Sequence, residues 1–488
     1  MKRISLLLFI LLLSTNVFAQ QFNFAERLYD NYETFKEKTI QDRRFTHSDI
    51  EPLIKQLASE SAFEVTTAGY SVQDRPIYLV QIGNGDTNVL FWSQMHGDES
   101  TATMALLDIF NFFSKNNGLF ADKKKDLLNK VSLYFLPMLN PDGAEHFQRK
   151  NALSIDINRD AQRLTSPEAR ILKSVRDSLK PEFGFNLHDQ STYYAVGRTS
   201  EPATLSFLAP AYNYERSVNK VRKKAMRLIA YLNEMLQQYI PGKVAKYSDA
   251  HEPRAFGDMI TKWGTSTVLI ESGGYPDDPE KQYIRKLNFV TMLAAINSIA
   301  NESYVGTSLD DYHQIPENNR ALTDLLIREV NMVKNDKRFL VDIGIRQWKE
   351  VINDSTSYYR SRISNLGDLS TMYGYDELDG NQMEIRPGKI YPDTLQNIQD
   401  VQQLDFIELL QEGYTGIVVK DAPGVSFLND IPLNVIVAED HSNEIELGSM
   451  PNLVIKENGQ IQYVIVNGFV FDTESSDASA IGNTLVID

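Results

Sequence analysis

Histidine is scarce in this chain, seven among 488 residues, so the places where it stands near an acid are few. One is Met95-His96-Gly97-Asp98-Glu99-Ser100, directly after Thr87–Gln94 (TNVLFWSQ), an apolar run that reads as a strand. A His-x-x-Glu pair at a strand-to-helix turn can set a ring nitrogen and a carboxylate oxygen on one side, a metal's width apart. Zinc accepts such N and O donors and, in catalytic sites, keeps one position for water. The same four residues also fit a helix-capping carboxylate beside a loop histidine. Cysteine is absent, so thiolate sites and disulfides are both impossible.

Further candidates stand at the ends of other apolar runs. His188 follows Phe183–Leu187 in Asn186-Leu187-His188-Asp189, and Glu271 follows Thr265–Ile270 in Leu269-Ile270-Glu271-Ser272-Gly273-Gly274. A third run, Val131–Leu139, ends on the turn Asn140-Pro141-Asp142-Gly143. In open α/β sheets, ligands bind outside the carboxyl ends of the strands, so these groups are expected to converge on one edge. A carboxylate at the end of an apolar strand is costly unless a metal, a proton or a partner compensates it. Between these positions lie Gln148-Arg149-Lys150-Asn151 and Asp156-Ile157-Asn158-Arg159-Asp160. An arginine there can grip a substrate carboxylate bidentately or stabilise an oxyanion. A lone arginine otherwise makes a surface ion pair.

The elements that must hold these groups alternate in type. Residues 22 to 60 read as helical and polar. Ala62–Thr67 and Ile77–Ile82 read as strands that pair with each other. Helices are expected at about Thr101–Ser114, Pro167–Ser178 and Glu215–Gln238, each between strands. Such alternation predicts an α/β domain with a mixed, mostly parallel central sheet flanked by helices. That domain is expected over 20–303. Residues 304–382 read as a helical, charged connector (Asn319–Lys334, for example), and 383–488 as a small β-rich accessory domain. In the latter, Glu457-Asn458-Gly459-Gln460 is an Asn-Gly hairpin signal.

The order His-x-x-Glu, Asn-Pro-Asp-Gly, Arg, Asp-x-Asn-Arg, His, Glu resembles the zinc carboxypeptidase family, the carboxypeptidase A-like metallopeptidases, over roughly 22–303. The resemblance implies one zinc per chain, held by His96, Glu99 and His188, with Asp156 orienting the first histidine. It implies Arg149 as the carbonyl-polarising arginine and Asn158 with Arg159 as the grip on the substrate's terminal carboxylate. Glu271 is then the general base and later acid. The implied activity is hydrolysis of the C-terminal peptide bond of peptides with a free C-terminus. This sequence departs from the family at the mobile tyrosine expected about twenty residues before the base. The stretch there reads Ser248-Asp249-Ala250-His251-Glu252-Pro253-Arg254, with Tyr247 nearby, so His251 or Arg254 is an alternative pocket residue. Gly257-Asp258 stands at the expected pocket floor.

The formal net charge of -16 argues against nucleic-acid binding and against adsorption to anionic membranes, which need basic patches. Lys2-Arg3, the apolar run Ile4–Leu13 and Val17-Phe18-Ala19 form a signal-peptide pattern over 1–19, which predicts a secreted or periplasmic protein with no stable membrane insertion after cleavage. Two alternatives stand beside the peptidase: a zinc deacylase of N-acyl amino acids or a cell-wall peptide amidase on the same fold, and a non-catalytic binding module. Metal content separates the last.

Overall fold

The computed structural model describes residues 22–115, 118–353, 356–421, 424–437, 443–474, 477–479, 481 and 484–487. The signal-peptide segment 1–19 lies outside them. Residues up to Arg320 form one compact unit and those from Ala321 another.

In the first unit the strands are β1 Phe63–Tyr70, β2 Pro76–Ile82, β3 Thr87–Trp92, β4 Val131–Leu136, β5 Phe183–Asp189, β6 Ala195–Val196, β7 Leu205–Leu208, β8 Val244–Lys246, β9 Ser266–Ser272 and β10 Asn318–Asn319. Eight of them make one sheet in the order β1-β2-β4-β3-β5-β9-β7-β8. Its centre is parallel (β4 with β3, β3 with β5, β5 with β9), and β1, β2 and β7 pair antiparallel. The mixed, helix-flanked sheet expected from the alternation is therefore present.

Strand periodicity explains why this sheet is buried on both faces. Along β3, Val89 and Phe91 join one apolar cluster while Leu90 and Trp92 join another; β4 divides Leu133 and Phe135 from Tyr134 and Leu136 in the same way. Helices Thr101–Ser114 and Gln282–Ala300 cover the first face, and Pro167–Leu179 and Phe256–Lys262 the second. The helix Pro167–Leu179 starts where Ser166 accepts the Ala169 N–H with proline at the first position, and it stops at Lys180 in the left-handed region (φ 43°). Residues 22–60 hold two helices, Asn23–Asp30 and His47–Leu57, with irregular chain between. That irregular chain is tied down by Arg285, which donates to Asp108 and to the carbonyls of Glu37 and Ile40. Both charged side chains are fully buried.

The second unit corrects the expected helical connector over 304–382. Helix is confined to its start, at Leu309–Gln314 and a short turn before it. From Leu322 the chain is strand: Leu322–Lys334, Lys337–Asn353 and Thr356–Gly367 form an antiparallel meander, with Tyr373–Asp379 parallel to the first. A register shift between Ile327 and Val330, with Glu329 at φ 50°, puts an extra residue into the first strand. That bulge breaks the two-residue alternation. Before the bulge, Leu322, Leu325, Leu326 and Ile327 are buried without alternating, so the stretch shows no two-residue period in sequence. The Asn-Gly hairpin does form, between Leu453–Glu457 and Gln460–Val466, with Asn458 and Gly459 both at positive φ (50° and 85°) as a type I′ turn requires.

Candidate metal centre

His96 and Glu99 sit in the loop between β3 and the helix Thr101–Ser114. The loop is shaped by Gln94, at φ 48°, whose side chain donates to the Gly97 carbonyl at 2.9 Å. Asn140 packs under it, donating from its side chain to the Met95 carbonyl (3.3 Å) and accepting from the Gly143 N–H (2.9 Å). Gly97 needs its missing side chain, because a Cβ there would lie 2.0 Å from the Gly143 carbonyl carbon. The turn Asn140-Pro141-Asp142-Gly143 is thus a buttress. Its Asp142 points away from the site and accepts from Ser71, Gln73 N–H and Arg75.

His188 is the penultimate residue of β5, and Glu271 on β9 stands in register beside it. His96 Nδ1 lies 2.8 Å from Glu99 Oε1, and His188 Nδ1 lies 2.6 Å from Glu99 Oε2. The three side chains are buried, and one donor atom from each lies within 4.8 Å of the others. Both imidazoles present Nδ1 to the centre, and a polar side chain stands behind each at Nε2. Asp156 Oδ1 is 3.0 Å from His96 Nε2, and Asn158 Nδ2 is 3.3 Å from His188 Nε2. Two imidazoles and a carboxylate are a donor set that suits zinc, and the Asp156 carboxylate behind His96 is the acceptor that fixes that ring with Nδ1 toward the centre.

Arg149 crosses the centre's edge. Its Nη1 is 3.1 Å from Glu99 Oε1 while its Nε donates to Asp156 Oδ2 at 3.1 Å. Asn158 is pinned by the Phe256 N–H on its Oδ1, and Arg159 lies 3.8 Å from Glu252. Electrostatics separate the carboxylates. Burial alone would raise Asp156, but His96, Arg149 and Arg159 hold it well below the usual carboxylate range. Glu99 is likewise held low by the two histidines against its burial. Glu271 is pushed well above the usual range, first by its protein surroundings and then by the Glu99 charge. Carboxylates driven apart in this way divide into a permanent anion and a proton carrier.

Sequence comparison points to a family. Residues 50–234 match the family model described as zinc carboxypeptidase. Over those residues the chain is similar to the zinc carboxypeptidases. Human carboxypeptidase D is 24% identical over 218 residues, 36% of this chain and 16% of that protein. Carboxypeptidase 2 of Trichophyton rubrum is 30% identical over 108 residues, 22% of this chain and 19% of the relative. The chain thus spans about a fifth or less of the length of these relatives. Among solved structures, a metallo-carboxypeptidase from Burkholderia cenocepacia aligns at 15% identity and TM-score 0.43, over 53% of this chain and 70% of that one.

In the first unit one cleft brings together His96, Glu99, His188, Arg149, Asn158, Arg159 and Glu271. Asp156 reaches the cleft only through His96 and Arg149. Two residues offered as pocket alternatives are elsewhere engaged: His251 bonds Asp258 and the Ala211 carbonyl, and Arg254 pairs with Glu252. Tyr247 lines the cleft instead, its ring 6.0 Å from that of Tyr194, and its hydroxyl pKa is raised by burial and by the Tyr194 hydrogen bond. Sequence reasoning missed Asn186, Gln190 and Arg320, which also line it. Arg320 arrives because β10 pairs with β6 and Asn318 donates to Gln190. No local signal marks it, since its partner strand is more than a hundred residues away.

Proposed function

We propose that this protein is a zinc-dependent carboxypeptidase that removes the C-terminal residue of peptides, with one zinc per chain on His96, Glu99 and His188. The observation that carries this reading is the placement of Glu271 in register beside His188, facing the same cleft as the three donors and the paired Asn158 and Arg159. A zinc ion held there would polarise a carbonyl and acidify a water, the chemistry such ions supply to hydrolases. Glu271 accepts the proton of the attacking water and returns it to the leaving amine, a role its raised pKa suits. Arg149 donates to the oxygen of the scissile carbonyl as charge grows there. Asn158 and Arg159 hold the terminal carboxylate, so that only the last peptide bond reaches Glu271.

Export rests on the basic, apolar and small-residue order of residues 1–19. No helix of the described residues is long and apolar enough to cross a membrane.

The deciding experiment measures metal in the mature protein and follows a mixed peptide library by mass spectrometry. One zinc per chain with loss of single C-terminal residues is the expected outcome, and Arg159→Ala should raise KM sharply for free-carboxylate peptides. Equal cleavage of amidated peptides would rule out the exopeptidase reading. Absence of both zinc and cleavage would leave a binding module.

A further inference from the structure

Among the buried polar atoms without a hydrogen-bond partner in the described residues, two belong to side chains that line the cleft, Asn186 Oδ1 and Asp189 Oδ1. Asp189 is otherwise well engaged: its Oδ2 accepts from Arg43, Thr101 and Lys281. Asn186 is different. It stands on β5 two residues before His188, hence on the same face of the strand, and it is 2% exposed. A buried amide oxygen without a protein partner costs free energy that a ligand's N–H would recover.

Its surroundings define what could supply that N–H. Leu208, Pro210 and Leu269 make apolar walls, and Gly257 faces the amide without a side chain. A Cβ on Gly257 would lie 3.3 Å from Asn186 Nδ2 and 3.2 Å from Pro210 Cγ, so glycine keeps the amide uncovered. The neighbouring carboxylate, Asp258, already accepts from the Glu252 N–H and lies 3.1 Å from His251 Nδ1. Both contacts fall on its Oδ1. An apolar stem ending in a neutral group that both donates and accepts fits this pocket best.

We propose that Asn186 is the specificity-determining residue, and that the pocket selects peptides whose C-terminal side chain ends in a carboxamide, glutamine above all. This rests on the carboxypeptidase reading given above. The test uses the zinc-loaded full-length protein and N-blocked dipeptides ending in Gln, Met, Glu or Lys. Met matches Gln in length without the amide, and Glu matches its shape with a charge. The expected kcat/KM for the Gln peptide exceeds that for the Met peptide by at least about tenfold, the scale of leaving a buried acceptor unpaired. Asn186→Leu should bring that ratio to about one or below with zinc content unchanged, and Asn186→Asp should move the preference to the Lys peptide. If the Met, Glu or Lys peptide is cut as well as the Gln peptide, or if the Gln preference survives Asn186→Leu, the assignment of Asn186 is overturned and the carboxypeptidase reading stands. Release of no C-terminal residue from any of the four overturns both.

Discussion

At the scale of single residues, the centre works by giving chemically similar groups opposite tasks. Glu99 sits between two imidazoles and stays anionic, whereas Glu271 is pushed toward the neutral acid by its surroundings and by Glu99 itself. Glu271→Gln keeps shape and hydrogen bonding but cannot carry the proton. It is expected to retain zinc, measured by elemental analysis, and to lose about 10²–10⁴-fold in kcat, the usual worth of a general base. Asp258 offers a test by pH. Burial pushes its carboxyl up to about 6, against bonds from the Glu252 N–H and His251 that lower it. A raised folded-state pKa means that the folded protein binds the proton more tightly than the unfolded chain. Stability from this group is therefore full below about pH 4 and is lost as pH rises through about 6. Asp258→Asn should match the parent near pH 4 and exceed it by about 1–3 kcal/mol above pH 6, the order given by a shift of this size. Melting temperatures measured across that range check this.

At the scale of elements, the site depends on how closely loops approach. The strand ends bring His188 and Glu271 together through ladder register alone. His96 and Glu99 instead depend on a loop pressed onto the Asn140–Gly143 turn. Gly97→Ala forces a Cβ onto the Gly143 backbone, which cannot yield as a side-chain tip would. The expected cost is about 1–3 kcal/mol of stability, with at least a tenfold loss of zinc affinity as the two donors spread. Denaturant melts and competition with a chelating dye would show both. The motifs of the site are legible in the sequence because strand ends and turns leave local marks: an apolar run, then Asn-Pro-Asp-Gly or His-x-x-Glu. The meander from Leu322 is not legible in that way. Its first residues, Leu322 to Ile327, are mostly buried and do not alternate, a bulge at Glu329 shifts the register beyond them, and only pairing with Lys337–Asn353 makes it a strand.

At the scale of the whole molecule, the donors, the proton carrier and the cleft belong entirely to the unit ending at Arg320. On the proposed reading, zinc binds the folded form of that unit in preference to the unfolded chain, so its removal is expected to destabilise that unit selectively. With metal at 100 to 1,000 times its Kd, the linkage is worth about 3–4 kcal/mol, or roughly 5–10 °C for a unit of this size. Calorimetry of the intact protein with and without a chelator should show one transition falling by that amount. The transition of residues 321–488 should not move. A uniform shift of all unfolding would contradict the confinement of the metal to the first unit.

The sequence by itself determined which donors are available and in what order. Without cysteine, any zinc site had to use histidine and carboxylate donors; the resemblance of the motif order to zinc carboxypeptidases pointed to His96, Glu99 and His188, and the strand-end positions of His188 and Glu271 already implied a common edge. Tertiary structure alone decided the rest. It set both Nδ1 atoms toward the centre, with the Asp156 carboxylate behind His96 fixing that ring. It turned Asp142 away from the chemistry, put Tyr247 rather than His251 on the cleft, and brought Arg320 to its lining through β10. The reason is one of range. Donor type and strand ends are properties of a few consecutive residues, whereas facing, bracing and lining depend on contacts between segments tens to hundreds of residues apart.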